Sequence, residues 1–196
     1  MARIILCMAL ALALATSAHA HKVITPGSQH KVAKGTFSAS ALSTWNRLDQ
    51  KEGKYQEIWT IDGEQLNQIM FFGGVPVGEP LLKERNRKLD PLPKVAGNML
   101  LTDIPVLLER TYRTHYATTS MEIGLQEPTT FAGVEGIRFE YRFTPIEDEV
   151  ERRGEAFAGL KDGKLYLVAF EAPDLYYFDR NSSEFKIIVQ KLKLIR

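Results

Sequence analysis

The sequence predicts an α+β domain in which an antiparallel β-sheet is flanked by helices. Two observations carry this prediction. Asp-Gly pairs at 62–63 and 162–163 each separate two apolar-rich runs, and amphipathic stripes occur at 103–116 and 181–195. Asp-Gly between such runs indicates a tight hairpin, because both central residues of a type I′ turn need a positive φ. Helices that pack on a hairpin-built sheet give a layered α+β domain.

The first twenty residues have the pattern of a cleavable secretory signal peptide. Arg3 gives a positive start, residues 4–15 form an unbroken apolar run, and Ala18-His19-Ala20 matches the small-x-small cleavage pattern. The run is shorter than the roughly twenty residues that a membrane-spanning helix needs. We therefore expect export to the periplasm or beyond the cell, with no transmembrane segment in the mature chain. A retained N-terminal anchor is the alternative.

Cleavage after residue 20 would change the chemistry of the chain. It would remove the sole cysteine, Cys7, and one basic residue, so that 24 basic and 24 acidic residues remain. The mature chain would then form no disulfide and use no thiol chemistry. Its net charge near zero argues against a general nucleic-acid binder. Acylation of Cys7 is a further alternative, although Cys7 lies near the start of the apolar run.

The mature chain has two parts with different patterns. Residues 21–35 are polar, contain Pro26 and Gly27 and show no periodicity, which predicts a flexible lead-in. Organised pattern begins near Thr36 and continues to the C-terminus. Residues 36–196 are therefore expected to form a single α+β domain.

Predicted strands flank the two Asp-Gly pairs, and two further strands are predicted outside these hairpins. Segments 56–61 and 65–72 form the first predicted hairpin, and 154–160 and 165–172 form the second. The segment 136–144 alternates apolar and polar residues, as expected of a strand with one buried face. Residues 165–170 are apolar on both faces, which is typical of a central strand covered on both sides. Residues 121–126 are a further candidate strand.

Two helices are predicted from fourfold and threefold spacing of apolar residues. The first lies between Asp103 and Tyr116, with Thr102 or Asp103 as its cap. In the second, Asn181 and Glu184 match a capping box. The apolar stripes consist of Ile104, Leu108, Tyr112 and Tyr116 in the first helix and of Phe185, Ile188, Leu192 and Ile195 in the second.

No catalytic constellation emerges from the sequence, so no catalytic residue and no cofactor is expected. The residues that we single out as candidates for binding a ligand or partner are Trp45, Asn46, Arg47, Asp62, Arg138, Glu140 and Arg142. If helices cover both sheet faces, the last three charges need partners or a cleft. Two alternatives remain open: an internal ladder of ion pairs with Glu140 or Glu155, or a polar groove.

Three further motifs have a functional interpretation and a plainer one. An N-terminal His21 would combine a free amine with an imidazole and could bind copper, or could be an accident of the cleavage site. The basic run 83–88 could touch an anionic surface or be a solvated loop. The acidic residues Asp148, Glu149 and Glu151 follow a proline in a predicted loop, where charges usually hold solvent.

Two groups of residues carry a family resemblance. Trp45-Asn46-Arg47 followed by Trp59-Thr60-Ile61-Asp62-Gly63 resembles a group of exported bacterial proteins of unassigned function, as does Arg152-Arg153-Gly154-Glu155-Ala156 with Phe170-Glu171-Ala172-Pro173. At the fold level, the second half is similar to PsbP-like and DcrB-like domains. The resemblance covers most of residues 36–192. It implies an antiparallel sheet between helices and a protein that binds or scaffolds, with no catalytic motif to transfer.

Together these observations predict an exported, non-enzymatic binding or assembly module of the bacterial cell envelope, with an envelope protein as its partner. The alternative is a periplasmic protein that handles a small molecule or copper and could be an enzyme. The sequence leaves the oligomeric state open.

Overall fold

A computed structural model describes residues 22–118, 120–146 and 148–195. The predicted signal peptide and His21 lie outside the described residues. Within them the elements are β1 (Lys22–Ile24), β2 (His30–Val32), β3 (Phe37–Ala39), β4 (Trp45–Arg47), β5 (Gln56–Thr60), β6 (Gln68–Pro76), α1 (Asp103–His115), β7 (Ser120–Phe131), β8 (Val134–Thr144), β9 (Arg152–Lys161), β10 (Lys164–Pro173), α2 (Tyr177–Lys191) and β11 (Lys193–Leu194).

The strands form one large and one small antiparallel sheet. The order in the eight-stranded sheet is β1-β4-β5-β6-β10-β9-β8-β7, and that in the three-stranded sheet is β11-β3-β2. The predicted antiparallel sheet with helices is therefore confirmed. Strand β10 lies centrally between β6 and β9, as the apolar character of residues 165–170 predicted. The alternation of segment 136–144 is also confirmed, since Ile137, Phe139, Tyr141 and Phe143 are buried.

Tight turns set the register of the second half of the sheet. Asp162 and Gly163 have φ values of 50° and 67° and connect β9 to β10, as predicted for a type I′ turn. Ala132 and Gly133 connect β7 to β8 with the same signs of φ, which the sequence analysis did not identify. The first hairpin is different: β5 and β6 pair as predicted, but residues 61–67 form a longer loop in place of a two-residue turn.

Helix α1 covers one face of the large sheet, and helix α2 with the small sheet covers the other. Leu167 and Ala169 of β10 belong to the core on the α1 side, whereas Val168 and Phe170 belong to the core on the α2 side. Full burial of one such Phe or Leu side chain contributes about 1.5–3 kcal/mol. Among the described residues, neither helix is long and apolar enough to cross a membrane.

The predicted flexible lead-in is wrong for residues 22–35. Strand β1 pairs with β4, and β2 pairs with β3. Ile24 and Val32 are buried and anchor these strands in the core on the α2 side. Strands of three residues are too short to show a periodicity of two, so the sequence pattern did not reveal them.

The predicted helix caps are also wrong. Thr102 precedes α1, and its side chain makes no capping hydrogen bond. The carboxylate of Asp103 accepts a hydrogen bond from the amide of Leu100, which lies before the helix. Helix α2 begins at Tyr177, so Asn181 lies inside it, and the carboxylate of Glu184 accepts hydrogen bonds from a distant loop instead of capping its own helix. Ile195 follows the helix and is partly exposed.

Candidate functional site

The structure does not bring the four candidate residues of the first half to one site. Trp45 is fully buried, and its Nε1 donates to Glu184 of α2 at 3.0 Å. Asn46 lines a cavity of about 420 Å³ with Thr60 and Glu64, whereas Arg47 lines a separate one of about 190 Å³. Asp62 accepts a hydrogen bond from Asn67 Nδ2 at 2.7 Å and lies 3.5 Å from Arg180. Trp45 and Asp62 therefore hold the fold together.

Arg138 and Glu140 form part of the ion-pair ladder that was one of the two alternatives, whereas Arg142 pairs with other carboxylates than the predicted Glu140 or Glu155. Arg138 lies 2.5 Å from Glu155, 2.7 Å from Glu140 and 2.8 Å from Glu127. Burial alone would lower the pKa of Arg138, but these carboxylates raise it above the ordinary value, so the guanidinium stays charged. Arg142 extends the ladder to Glu151 at 2.9 Å and to Asp174 at 2.6 Å.

A cleft on the opposite face of the sheet, which the sequence analysis did not identify, has the features of a binding site. Its volume is about 310 Å³, and it opens beside the end of α1. Its lining residues include Glu52 and Arg85, Asp148 and Arg152, and, on the sheet that forms its floor, Gln68 of β6 and Glu171 of β10. Concave sites with a few fixed polar groups are the usual places where proteins bind ligands.

Glu171 is the central group of the cleft floor. Its side chain is 1% exposed and lies on the α1 side of β10. Its Oε1 accepts hydrogen bonds from the hydroxyls of Tyr112 and Tyr141, each at 2.5 Å, and its Oε2 accepts one from Gln68 Nε2 at 3.1 Å. Four elements, β6, α1, β8 and β10, thus contribute to a single hydrogen-bond network.

Burial determines the protonation of this network. Removal from water raises the pKa of Glu171, although the tyrosine hydroxyls and nearby Arg152 counteract the rise. Burial, together with the charge of Glu171, holds the pKa values of Tyr112 and Tyr141 well above the ordinary range. The tyrosines therefore remain neutral hydrogen-bond donors, and the carboxyl group is the member of the network that titrates.

A second carboxylate, Glu52, stands on the rim of the cleft. The Tyr116 hydroxyl donates to its Oε2, and His115 Nε2 lies 3.6 Å from its Oε1. Burial by itself raises the pKa of Glu52, but His115, Tyr116 and Arg85 together lower it below the ordinary value. The ring of His115 is buried, and its Nδ1 has no hydrogen-bond partner within the described residues.

Arg152 is a further fixed group in the lining of the cleft. Its side chain is buried, and both terminal nitrogens donate to the carbonyl oxygen of Gln65 at 3.0 Å. Asp148 lies 3.5 Å from the same guanidinium. Arg152 thereby attaches the loop between β5 and β6 to the start of β9.

The described residues include no group of three or more His, Cys, Asp or Glu side chains placed to hold a metal ion. The predicted copper ligand, His21, lies outside the described residues, so that hypothesis stays a prediction.

Comparison with solved structures identifies the fold. The chain is similar to cyanobacterial PsbP (CyanoP) from Synechocystis, with a TM-score of 0.58 and 15% identity over 94% of this chain and 99% of that one. The fold is PsbP-like. It is also similar to LpqN, involved in cell envelope biogenesis of Mycobacterium tuberculosis, with a TM-score of 0.32 and 7% identity over 92% of this chain and 88% of that one. No protein-family model and no curated protein matches the sequence.

One sequence signal could have located the cleft. Glu171 interrupts the apolar run 165–172, in a strand that is buried on both faces. A carboxyl group at such a position is costly unless hydrogen bonds compensate, so it marks a buried polar site. Its partners Tyr112 and Tyr141 were recognised only as members of apolar stripes.

Proposed function

We propose that this chain is an exported, non-enzymatic binding or assembly module of the bacterial cell envelope, and that it binds a protein partner through the cleft above Glu171. The observation that carries the proposal is the closed hydrogen-bond network at the floor of an open cleft. Export is supported by the signal-peptide pattern of residues 1–20. The PsbP-like fold is compatible with this function and is not by itself an argument for it.

The network favours recognition over acid–base catalysis. A catalytic base needs an acceptor within reach of the substrate proton, whereas the side chain of Glu171 is buried and already accepts three hydrogen bonds from the protein. Tyr112 and Tyr141 are committed as donors to the same carboxyl group. Side chains fixed in this way present a preorganised surface, which lowers the entropy cost of ordering side chains when a partner binds.

Photo-crosslinking in the envelope fraction tests the proposal. A photoreactive residue in place of Glu64, which is exposed and lines both the cleft and the cavity beside Asn46, should give a defined protein adduct, and the Gln65→Trp variant below assigns that adduct to the cleft. The same residue in place of Gln190, exposed on α2, is the control and should not. The additional substitution Gln65→Trp should abolish the adduct by filling the cleft, while keeping the backbone carbonyl that Arg152 uses. Equal labelling from positions 64 and 190 would contradict the proposal.

A small molecule bound in the same cleft is the second candidate function. The specific observation is the raised pKa of Glu171, because titratable groups with shifted pKa values in clefts are frequent at ligand sites. A thermal-shift screen of polar metabolites should then find a ligand whose stabilising effect disappears in Glu171→Gln and persists in Glu122→Gln. A screen in which no compound raises the melting temperature would leave protein binding as the function of the cleft.

Mass spectrometry of the protein isolated from its native compartment tests the predicted export. The expected mature N-terminus is His21. An intact Met1 would contradict the predicted cleavage and, with it, the copper-binding hypothesis for His21.

A further inference from the structure

A small cavity beside the connection from β4 to β5 has a basic lining. Its volume is about 190 Å³, and three segments meet there: β2 with the turn that follows it, the end of β4 with the residues after it, and the start of β5. The cavity shares none of the lining residues of the cleft. Four basic and two acidic residues give its lining a net formal charge of +2: Lys31, Lys34, Arg47 and Lys51 against Asp49 and Glu57.

The four basic side chains are not paired with acidic neighbours. Within the part of the chain that the structure describes, none of them forms an ion pair, although two carboxylates line the same cavity. Glu57 is engaged elsewhere, because its Oε2 accepts a hydrogen bond from the Ala33 amide at 3.0 Å and its Oε1 accepts one from Trp59 Nε1 at 2.9 Å. Lys34 lies over the uncharged ring of Tyr55. Four positive charges are therefore available to an anionic ligand.

Gln56 adds a buried donor to this lining. Its side chain is 3% exposed, and its Oε1 accepts hydrogen bonds from the amides of Glu52 at 2.8 Å and Gly53 at 3.0 Å. These two bonds fix which end of the side-chain amide is the oxygen. The other end, Nε2, is a donor without a hydrogen-bond partner among the described residues. A buried donor is costly when it lacks an acceptor, and a ligand in the cavity that Gln56 lines would supply one.

The chemistry of these groups selects the ligand. Guanidinium, ammonium and amide nitrogens are all donors, and a guanidinium can bind two oxygens of one phosphate with parallel hydrogen bonds. A phosphate group carries a charge of about −1.5 to −2 at neutral pH and three strong acceptor oxygens. The cavity is also smaller than the roughly 300 Å³ at which sites for drug-sized molecules begin. We infer that it binds a phosphate group, either free inorganic phosphate or the phosphate of a lipid headgroup.

Other ligands match the cavity less well. A divalent cation would be repelled by the net positive charge of the lining. A carboxylate brings one charge and two oxygens, so it would satisfy fewer of the donors. An uncharged sugar could accept a hydrogen bond from Gln56, but it would leave the basic side chains without a counter-charge.

Equilibrium dialysis of the processed chain against labelled inorganic phosphate tests the inference. Ionic strength is held constant with chloride, so that general screening does not change along the titration. We expect one phosphate per chain, with a Kd below about 1 mM. Phosphate at up to about 10 mM that does not bind the chain would overturn the inference.

Two variants assign the bound phosphate to this cavity. Gln56→Glu keeps an oxygen for the amides of Glu52 and Gly53, but it replaces the Nε2 donor with a second carboxylate oxygen that repels phosphate. It should weaken binding at least about tenfold. The half-buried Arg47 gives a second variant, Arg47→Gln, which should weaken binding about tenfold even if Gln56→Glu does not fold.

Arg110→Gln is the matched control. Arg110 is exposed on α1, makes no ion pair with a described residue and does not line the cavity, so its variant should bind phosphate as the parent chain does. Circular dichroism checks that each variant keeps the parent fold. Binding that Arg47→Gln leaves unchanged, or that Arg110→Gln weakens equally, would overturn the inference.

Vesicles distinguish the two sources of phosphate. The chain is sedimented with phosphatidylcholine vesicles that contain phosphatidic acid, whose headgroup is a phosphate monoester. Co-sedimentation that inorganic phosphate and Arg47→Gln both abolish would assign the cavity to a lipid headgroup, whereas phosphate binding without co-sedimentation would assign it to a free phosphate. Both results support a phosphate site. Neither depends on the protein adduct at position 64, because Gln56 and Arg47 do not line the cleft.

Discussion

Removal of one hydroxyl from the cleft floor, in Tyr141→Phe, should destabilise the protein in a pH-dependent way. The hydroxyl donates to the buried Glu171 carboxylate at 2.5 Å, and the ring itself is retained in the variant. A hydrogen bond to a charged group contributes about 1.5–3 kcal/mol, and one to a neutral group contributes about 0.5–1.5 kcal/mol. The expected loss is therefore about 1.5–3 kcal/mol where Glu171 is ionised and roughly half of that where it is protonated.

The sign of the pH dependence follows from the raised pKa of Glu171. The folded protein holds this proton to a higher pH than the unfolded chain does. The stability contributed by the protonated Glu171 is fully present below the unfolded-state pKa and is lost as the pH rises through the folded-state pKa. Tyr141→Phe removes a donor that favours the ionised form, so it should raise this pKa further and steepen the loss.

Urea unfolding at about pH 4, below the ordinary pKa of a glutamate, and at about pH 9 measures both effects. At the higher pH, the melting temperature of Tyr141→Phe should fall by roughly 3–12 °C. Tyr166→Phe is the matched control, because its hydroxyl makes no hydrogen bond among the described residues, and should change stability by less than about 0.5 kcal/mol. Glu171→Gln should flatten the pH dependence. A cost of Tyr141→Phe that is equal at both pH values, or no larger than the control, would refute this account of the network.

Three further perturbations separate structural contacts from exposed ones. Gly154→Ala should destabilise by about 1–3 kcal/mol in thermal unfolding, because its Cβ would lie 2.1 Å from a buried tyrosine ring, whereas Gly124→Ala makes only ordinary contacts and should be nearly neutral. Arg138→Ala should lower the free energy of unfolding by about 3–5 kcal/mol, because the buried carboxylate of Glu155 loses an ion-pair partner. Arg142→Ala should lower it by less than about 1 kcal/mol, because the ion pair of Arg142 with Glu151 is exposed. Hydrogen bonds outweigh burial and lower the pKa of Glu184, so this group contributes stability above its unfolded-state pKa that is lost in acid. Glu184→Gln should remove that contribution, and equal acid sensitivity of variant and parent would contradict this prediction.

The sequence predicted the elements whose signals are local. Asp162-Gly163 determines its turn through two positive φ values, and the alternation in β8 follows from one buried face. Strand β10 was recognised as central because it is apolar on both sides. These features depend on neighbours in the chain, so their pattern is visible without the fold.

The elements that the sequence missed depend on distant partners. Glu184 matches a helix cap by its spacing from Asn181, but it binds the amides of Leu42 and Ser43, more than 140 residues earlier. Strand β1 has no local signature and exists because β4, more than twenty residues later, supplies its hydrogen bonds. Strand β2 pairs with the nearby β3, and it was missed because three residues are too few to show a periodicity.

The candidate site was missed for the same reason. Glu171 lies 30 residues from Tyr141 and 59 from Tyr112 in sequence, so no spacing rule joins them. The sequence analysis favoured charges near turns, and in Arg138 it found a residue whose contacts are structural. A lone carboxyl group inside an apolar strand was the more informative signal.

The small sheet has a consequence for the order of folding during synthesis. Its middle strand, β3, pairs through Phe37 and Ser38 with Lys193 and Leu194 of β11. A chain emerging from the ribosome therefore cannot complete this sheet until residues 193–194 have been released. Loop closure over such a separation is slow. During that interval the buried side chains of β3, Phe37 and Ala39, have only part of their cover, so that the fold is completed only after synthesis of β11.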